Sequence, residues 1–275
     1  MKTFKTLFNT LLHRIQKKSL RIEKRYRFVI TTVILSLLMV FATFSLFQYW
    51  FIFVPLLFLT SYVLTYFSIL EGVEDIEWFG LFLMPVIITI SFYFFYFLFP
   101  GRWLTRLPFI GLYAISIYAM LLCSNIFNVG VEKNLQLYRA AFSVNSFYHA
   151  LSTFFIFNIL FSFQQIFLVN AVVVGIVSFI LSLQLFWTIR LNRHLDREIK
   201  QYAFLVAGVL VQLAIVMSFL PLKIAIYALF LTANYYSLSG LIYNYMDQRL
   251  FKETVREYII VLIFVGIITI LSLSW

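Results

Sequence analysis

Charge is scarce in this chain: only 12% of its 275 residues are charged and 63% are hydrophobic, where ordinary soluble domains carry roughly 25% and 45–50%. That balance excludes a water-soluble globule. Apolar and polar residues do not alternate over segments of about 10 residues, which excludes an outer-membrane barrel. The single cysteine, Cys123, lies inside an apolar run, so an intrachain disulfide is excluded and the residue reads as a small apolar filler. The 27 residues before the first apolar run are basic, and no small-residue cleavage pattern follows that run closely. The first helix is therefore expected to stay in the mature protein.

What the chain does have is run after run of apolar residues long enough to cross a hydrocarbon core, which takes about 20 residues per helical span. Runs bounded by charge, Pro or Asn predict helices over 28–47, 50–70, 79–99, 109–127, 139–162, 166–189, 201–220, 222–243 and 258–274. The joints at Gln48-Tyr49, Gln164-Gln165 and Pro221 leave very few residues for the chain to reverse. Loops kept in the cytoplasm carry an excess of Lys and Arg. With the N-terminus inside, 18 of the 21 basic residues and all 11 acidic ones fall on the cytoplasmic side, leaving Arg102, Arg106 and Lys223 opposite. The expected fold is an all-α membrane protein, a bundle of about nine transmembrane helices, N-terminus cytoplasmic and C-terminus outside.

Two parts are expected. In residues 1–27, Phe4, Leu7, Phe8, Leu11, Leu12, Ile15 and Ile22 recur at helical spacing, with nine Lys and Arg mostly around the rest. Such a basic amphipathic helix lies in the membrane interface and attracts anionic lipid at about 1 kcal/mol per basic residue near the surface. Nucleic acid would meet the same charge, but no base-stacking module accompanies it, so it is not an expected partner. Residues 28–275 form a single polytopic domain. Trp50, Trp78, Trp103, Trp187 and Trp275 fall at helix ends, where the amphipathic ring prefers the headgroup level. The aromatic run Phe92 to Phe99 reads as lipid-facing bulk, Pro55 and Pro85 predict local kinks, and Ala203, Ala207, Ala214, Ser178 and Ser182 predict close helix approach.

The loop after the second helix holds four carboxylates, Glu71, Glu74, Asp75 and Glu77, and no basic residue. Clustered carboxylates could hold Mg²⁺, a hard cation that prefers oxygen ligands and could in turn hold a diphosphate; the plain alternative is a solvated acidic loop. In the fifth helix, Asn145, His149 and Ser152 share a face at i, i+4 and i+7, with Ser146, Thr153 and Asn158 close by. A polar stripe of this kind either bonds to neighbouring helices or lines a cavity. His13 and His194 sit in separate segments and form no metal-ligand cluster with it. No Asp, Glu, Lys or Arg is placed deep in a span, which disfavours ion-coupled transport. The rhomboid Gly-x-Ser-Gly and metalloprotease His-Glu-x-x-His patterns are missing.

Nine helices with acidic cytoplasmic loops after helices two and six resemble the UbiA-type membrane prenyltransferases. That resemblance implies a Mg-dependent prenyl- or lipid-diphosphate transferase, with Glu71, Glu74, Asp75 and Glu77 on the metal and Arg193 or Arg197 on phosphate. The loop Arg190 to Lys200 contains only Asp196 and Glu198, and the first loop lacks that family's repeated Asp pattern and preceding Asn. The stretches EWFGLFLMP at 77–85, FYFLFPGRWLTRLP from Phe95 to Pro108, NIFNV at 125–129 and QLYRAAFSV at 136–144 resemble uncharacterised bacterial multi-pass membrane proteins with no assigned activity. That resemblance implies an inner-membrane structural, assembly or lipid-interacting component, partnered by membrane lipids and by another membrane protein or a second copy, with no cofactor. An uncoupled carrier or channel using the fifth-helix polar face is the third expectation.

Overall fold

A computed structural model describes residues 22–44, 49–69, 78–98, 103–129, 135–191 and 195–273. Among the described residues there are nine helices and no strand: α1 Lys24–Phe44, α2 Trp50–Ile69, α3 Trp78–Tyr96, α4 Trp103–Val129, α5 Leu135–Ser162, α6 Phe167–Arg190, α7 Arg197–Met217, α8 Ile224–Met246 and α9 Lys252–Leu271. Eight are long and apolar enough to cross a membrane; α3 has a shorter apolar stretch, Gly80–Tyr96. The helix forms because lipid supplies no partner for backbone N–H and C=O groups, so each span must satisfy its own.

Hydrogen bonds between helices fix how the chain is threaded. The Asn128 side chain, near the end of α4, donates to the Ile69 carbonyl at the end of α2 (3.3 Å). Ser124 of α4 donates to Leu81 near the start of α3 (3.0 Å). Thr31 in the first half of α1 pairs with Ser68 of α2 (2.7 Å), and Tyr138 at the start of α5 donates to the Thr188 carbonyl at the end of α6. At the other end, Arg106 near the start of α4 donates to Tyr96 Oη at the end of α3 (2.9 Å) and to the Thr43 carbonyl at the end of α1 (3.2 Å). Tyr227 near the start of α8 donates to the Ala214 carbonyl late in α7 (2.5 Å). Consecutive helices meet start to end, and α2 and α4, two apart in the chain, meet end to end, so successive helices run in opposite directions.

α3 lies at the centre. From Gly80 to Tyr96 none of its residues is exposed, and it touches α1, α2, α4, α5 and α6. α9 lies at the periphery, packed chiefly on α8, and buries only Val265 and Thr269. Many hydroxyls within the spans bond back to a carbonyl three or four residues earlier, as Thr60, Ser91, Ser116 and Thr269 do, so these add little polarity to the bundle.

Several expectations change. The run from Phe92 is not lipid-facing: Phe92, Tyr93 and Tyr96 are buried, with Phe92 against Phe109, Tyr113 and Phe155 and Phe95 stacked on Phe155 at 3.9 Å. Trp187 is not an interfacial anchor but a core residue, 1% exposed, with its ring laid on Gly80. A Cβ at that position would stand 2.3 Å from the indole, so only glycine admits the ring. Trp50 is exposed at the start of α2, as an anchor should be. α4 begins at Trp103, earlier than expected, and carries Pro108 inside it, because Arg106 finds partners on α1 and α3. α1 begins at Lys24, so residues 24–27 continue into the first span and Arg27 is buried; the rest of the expected interfacial helix, residues 1–21, lies outside the described residues. Ser178, Ser182, Ala203, Ala207 and Ala214 are buried where α6 and α7 pack.

Candidate functional site

The polar stripe of α5 meets three other helices. The Gln184 amide, on α6, donates through Nε2 to the Gly80 carbonyl of α3 (3.0 Å). That contact requires nitrogen to face the carbonyl, so Oε1 is the end turned toward α5. His149 Nε2 lies 2.5 Å from this oxygen and Asn145 Nδ2 3.5 Å from it. An acceptor opposite Nε2 puts the proton there, leaving Nδ1 to accept from the Tyr235 hydroxyl of α8 (3.2 Å). The ring is satisfied as a neutral imidazole. One hydrogen-bonded chain thus runs Tyr235, His149, Gln184, Gly80 and ties α8, α5, α6 and α3 together.

Other contacts flank this hydrogen-bonded chain. Thr153 donates to the His149 carbonyl (2.7 Å), Ser239 donates to the Tyr235 carbonyl (2.6 Å), and Gly80 is held under Trp187. Ser152 and Asn145 are buried, yet Ser152 Oγ and Asn145 Oδ1 meet no partner among the described residues. The sequence therefore located Asn145, His149 and Ser152 on one buried face but missed Gln184 and Tyr235. The signal for Gln184 was available: an uncharged amide in the apolar run FILSLQLFW needs a partner in lipid.

The acidic residues Glu71, Glu74, Asp75 and Glu77 lie outside the described residues, as do His13, His194 and Arg193. Among the described residues no group of three His, Cys, Asp or Glu could hold a metal ion. Asp196 and Glu198 are described, and both engage Arg190 (2.8 Å each). Arg197 is exposed at the start of α7. The structure thus joins the α5 stripe to partners, and occupies the two loop carboxylates with an arginine.

A second feature lies beside the network, where α5, α8 and α9 converge. Two cavities of about 430 and 420 Å³ share Phe142 and Ser143 as walls. One is lined with polar groups of the helix ends, among them Arg139, Asp247 and Arg249; the other lies further along α5, past Ser146, Phe147 and Ala150.

Apolar helices threaded alternately, with their polar positions bonded to one another across the bundle, make up the architecture of a multi-pass helical membrane protein. The chain belongs to the family described as "Protein of unknown function (DUF5656)", whose model matches residues 73–272. No curated protein and no solved structure matches it. The matched span takes in α3 to α9, and with them the hydrogen-bonded network and the paired cavities, while α1 and α2 precede it.

Proposed function

We propose that this chain is a structural, assembly or lipid-interacting component of the cytoplasmic membrane, with its N-terminus inside and its C-terminus outside. One observation carries the reading: His149, the titratable side chain in the polar stripe of α5, is tied on both ring nitrogens to other helices. A stripe bonded in this way holds a bundle together, the commoner use of polar residues in membrane helices. Its orientation is supported by charge. Lys24, Arg25, Arg139, Arg190, Arg197, Lys200, Arg249, Lys252 and Arg256 lie at one end of the bundle and Arg106 and Lys223 at the other, the asymmetry that keeps the basic end in the cytoplasm. The Mg-dependent diphosphate transferase draws less support, because Asp196 and Glu198, between α6 and α7, already hold Arg190.

Native mass spectrometry of the protein released from mild detergent tests the proposal. A stoichiometric protein partner, a homo-oligomer or retained phospholipid is the expected result. A prenyl or lipid diphosphate retained only with Mg²⁺, and lost on Glu74→Ala and Asp75→Ala, would replace the reading with the enzyme. Solute flux into proteoliposomes above that of empty vesicles, changed by His149→Ala, would replace it with the carrier.

A further inference from the structure

The paired cavities between α5, α8 and α9 have a polar end and an apolar end. At the helix ends, Arg139, Ser143, Asn244, Asp247, Arg249 and Thr254 surround the first; Phe142, Phe147, Ala150, Tyr236 and Tyr258 surround the second. Their shared wall at Phe142 and Ser143 makes them one groove. Asp247, the acid at the mouth, is paired with Arg249 (3.2 Å). Arg139 is exposed and has no carboxylate partner among the described residues. Among the residues that line it, the mouth therefore carries one net positive charge, with Arg139 at the fifth residue of α5, where a span passes through headgroup level.

Length agrees with that polarity. From Arg139 to Ala150 is 11 residues, about 16 Å along a helix at 1.5 Å per residue. Half of a hydrocarbon core about 30 Å thick is one leaflet's acyl layer, about 15 Å. The groove also opens among lipid-facing residues: Val144 and Phe147 of α5 and Ile259 and Ile260 of α9 are exposed. Its walls are fixed in advance. The Phe142 ring stacks on Tyr243 at 3.8 Å, Tyr258 lies against Gly240 where a Cβ would come within 2.4 Å of it, and Asn244 is bonded to the Gly240 carbonyl (2.8 Å). A ligand that fits has little side-chain order left to impose, which favours binding.

We infer that this groove binds one anionic membrane phospholipid, its phosphate held by Arg139 at the mouth and one acyl chain lying along Phe142, Phe147 and Ala150. The inference rests on the lipid-interacting reading above and gives it a site. Arginine suits the task because its planar fork can meet two phosphate oxygens at once.

The test uses the full chain in nanodiscs of equal phosphatidylglycerol and phosphatidylcholine, released for native mass spectrometry. Wild type is expected to retain one phosphatidylglycerol in preference to phosphatidylcholine. Arg139→Gln should lower phosphatidylglycerol occupancy about fivefold, the effect of losing one basic contact at a membrane surface, while Arg139→Lys keeps most of it. Ala150→Trp, which fills the apolar end, should lower occupancy of both lipids. Lys200→Gln, exposed at the same end of the bundle but outside the groove, should change nothing. Unfolding temperatures establish that each variant is folded, and Arg139→Gln, at an exposed position, decides the matter if Ala150→Trp does not fold. Equal retention by wild type and Arg139→Gln, an equal loss with Lys200→Gln, or displacement of the lipid by free glycerol phosphate would overturn the groove as a lipid site. Lipid retained equally by every variant would leave the broader reading standing; Mg-dependent diphosphate binding or solute flux would remove both.

Discussion

Gln184 is the residue on which the interior depends, because a single amide accepts from His149 and donates to the backbone of a third helix. Gln184→Leu leaves the His149 Nε2–H unpaired in the core, and is expected to lower stability by about 1–3 kcal/mol, the cost of an orphaned buried donor. In a double-mutant cycle with His149→Phe, the two losses should sum to more than the double variant shows, since each removes the same bond; unfolding in mixed micelles by increasing denaturing detergent measures both. Gly80→Ala tests the other end of the chain. A methyl there meets the Trp187 ring, and overpacking of this kind costs roughly 1–3 kcal/mol. Asn145 and His149 could be read from spacing alone because they share one helix. Their partners could not, since Gln184 and Tyr235 come from 35 and 86 residues away. Trp187 misled for a related reason: a tryptophan near a helix end suits an interface or a core equally well, and the slot that decides between them is made by a missing side chain on another helix.

At the scale of the element, the nine helices among the described residues were legible because apolar length is a property of each run by itself. Their ends were less so. α4 starts before Pro108 because Arg106 is held by Tyr96 and Thr43 and stacked over Phe44 at 4.0 Å, contacts that no local pattern announces. The reversals at Gln164 and Gln248, and the end of α6 at Leu191, use the left-handed conformation without glycine (φ 50°, 56° and 50°). That conformation costs an L-residue roughly 1–2 kcal/mol. Gln164 is exposed, so Gln164→Gly loses no buried packing there and should raise the unfolding midpoint, with a gain in stability of up to about 1 kcal/mol after the added freedom of the unfolded chain is deducted. A lower midpoint would mean that the Gln164 side chain contributes more than its backbone conformation costs. Whether α3 faced lipid or protein was illegible, since a helix apolar on every side is suited to both.

The whole molecule is defined by alternation, and the cross-bundle bonds place the Gln164 turn and the Gln248 turn at opposite ends. In a Cys123→Ser background, a cysteine at 164 is expected to react with an impermeant thiol reagent added to intact cells, and a cysteine at 248 only after the membrane is opened. Labelling of 248 alone would reverse the orientation; labelling of both would break the threading. The proposed orientation rests on charge asymmetry, because short loops are sorted by Lys and Arg whatever the helices do inside. The groove was not readable, because its walls come from three helices and its mouth takes in the turn between α8 and α9. The enclosure of α3 carries one more consequence, for how the sequence is free to drift. A residue that touches only other side chains is held to a volume, whereas one that touches lipid need only stay apolar. Across related chains, α9 should therefore wander among Ile, Leu, Val and Phe while α3 changes slowly, and a change of size in α3 should arrive with an opposite change in α2, α4, α5 or α6.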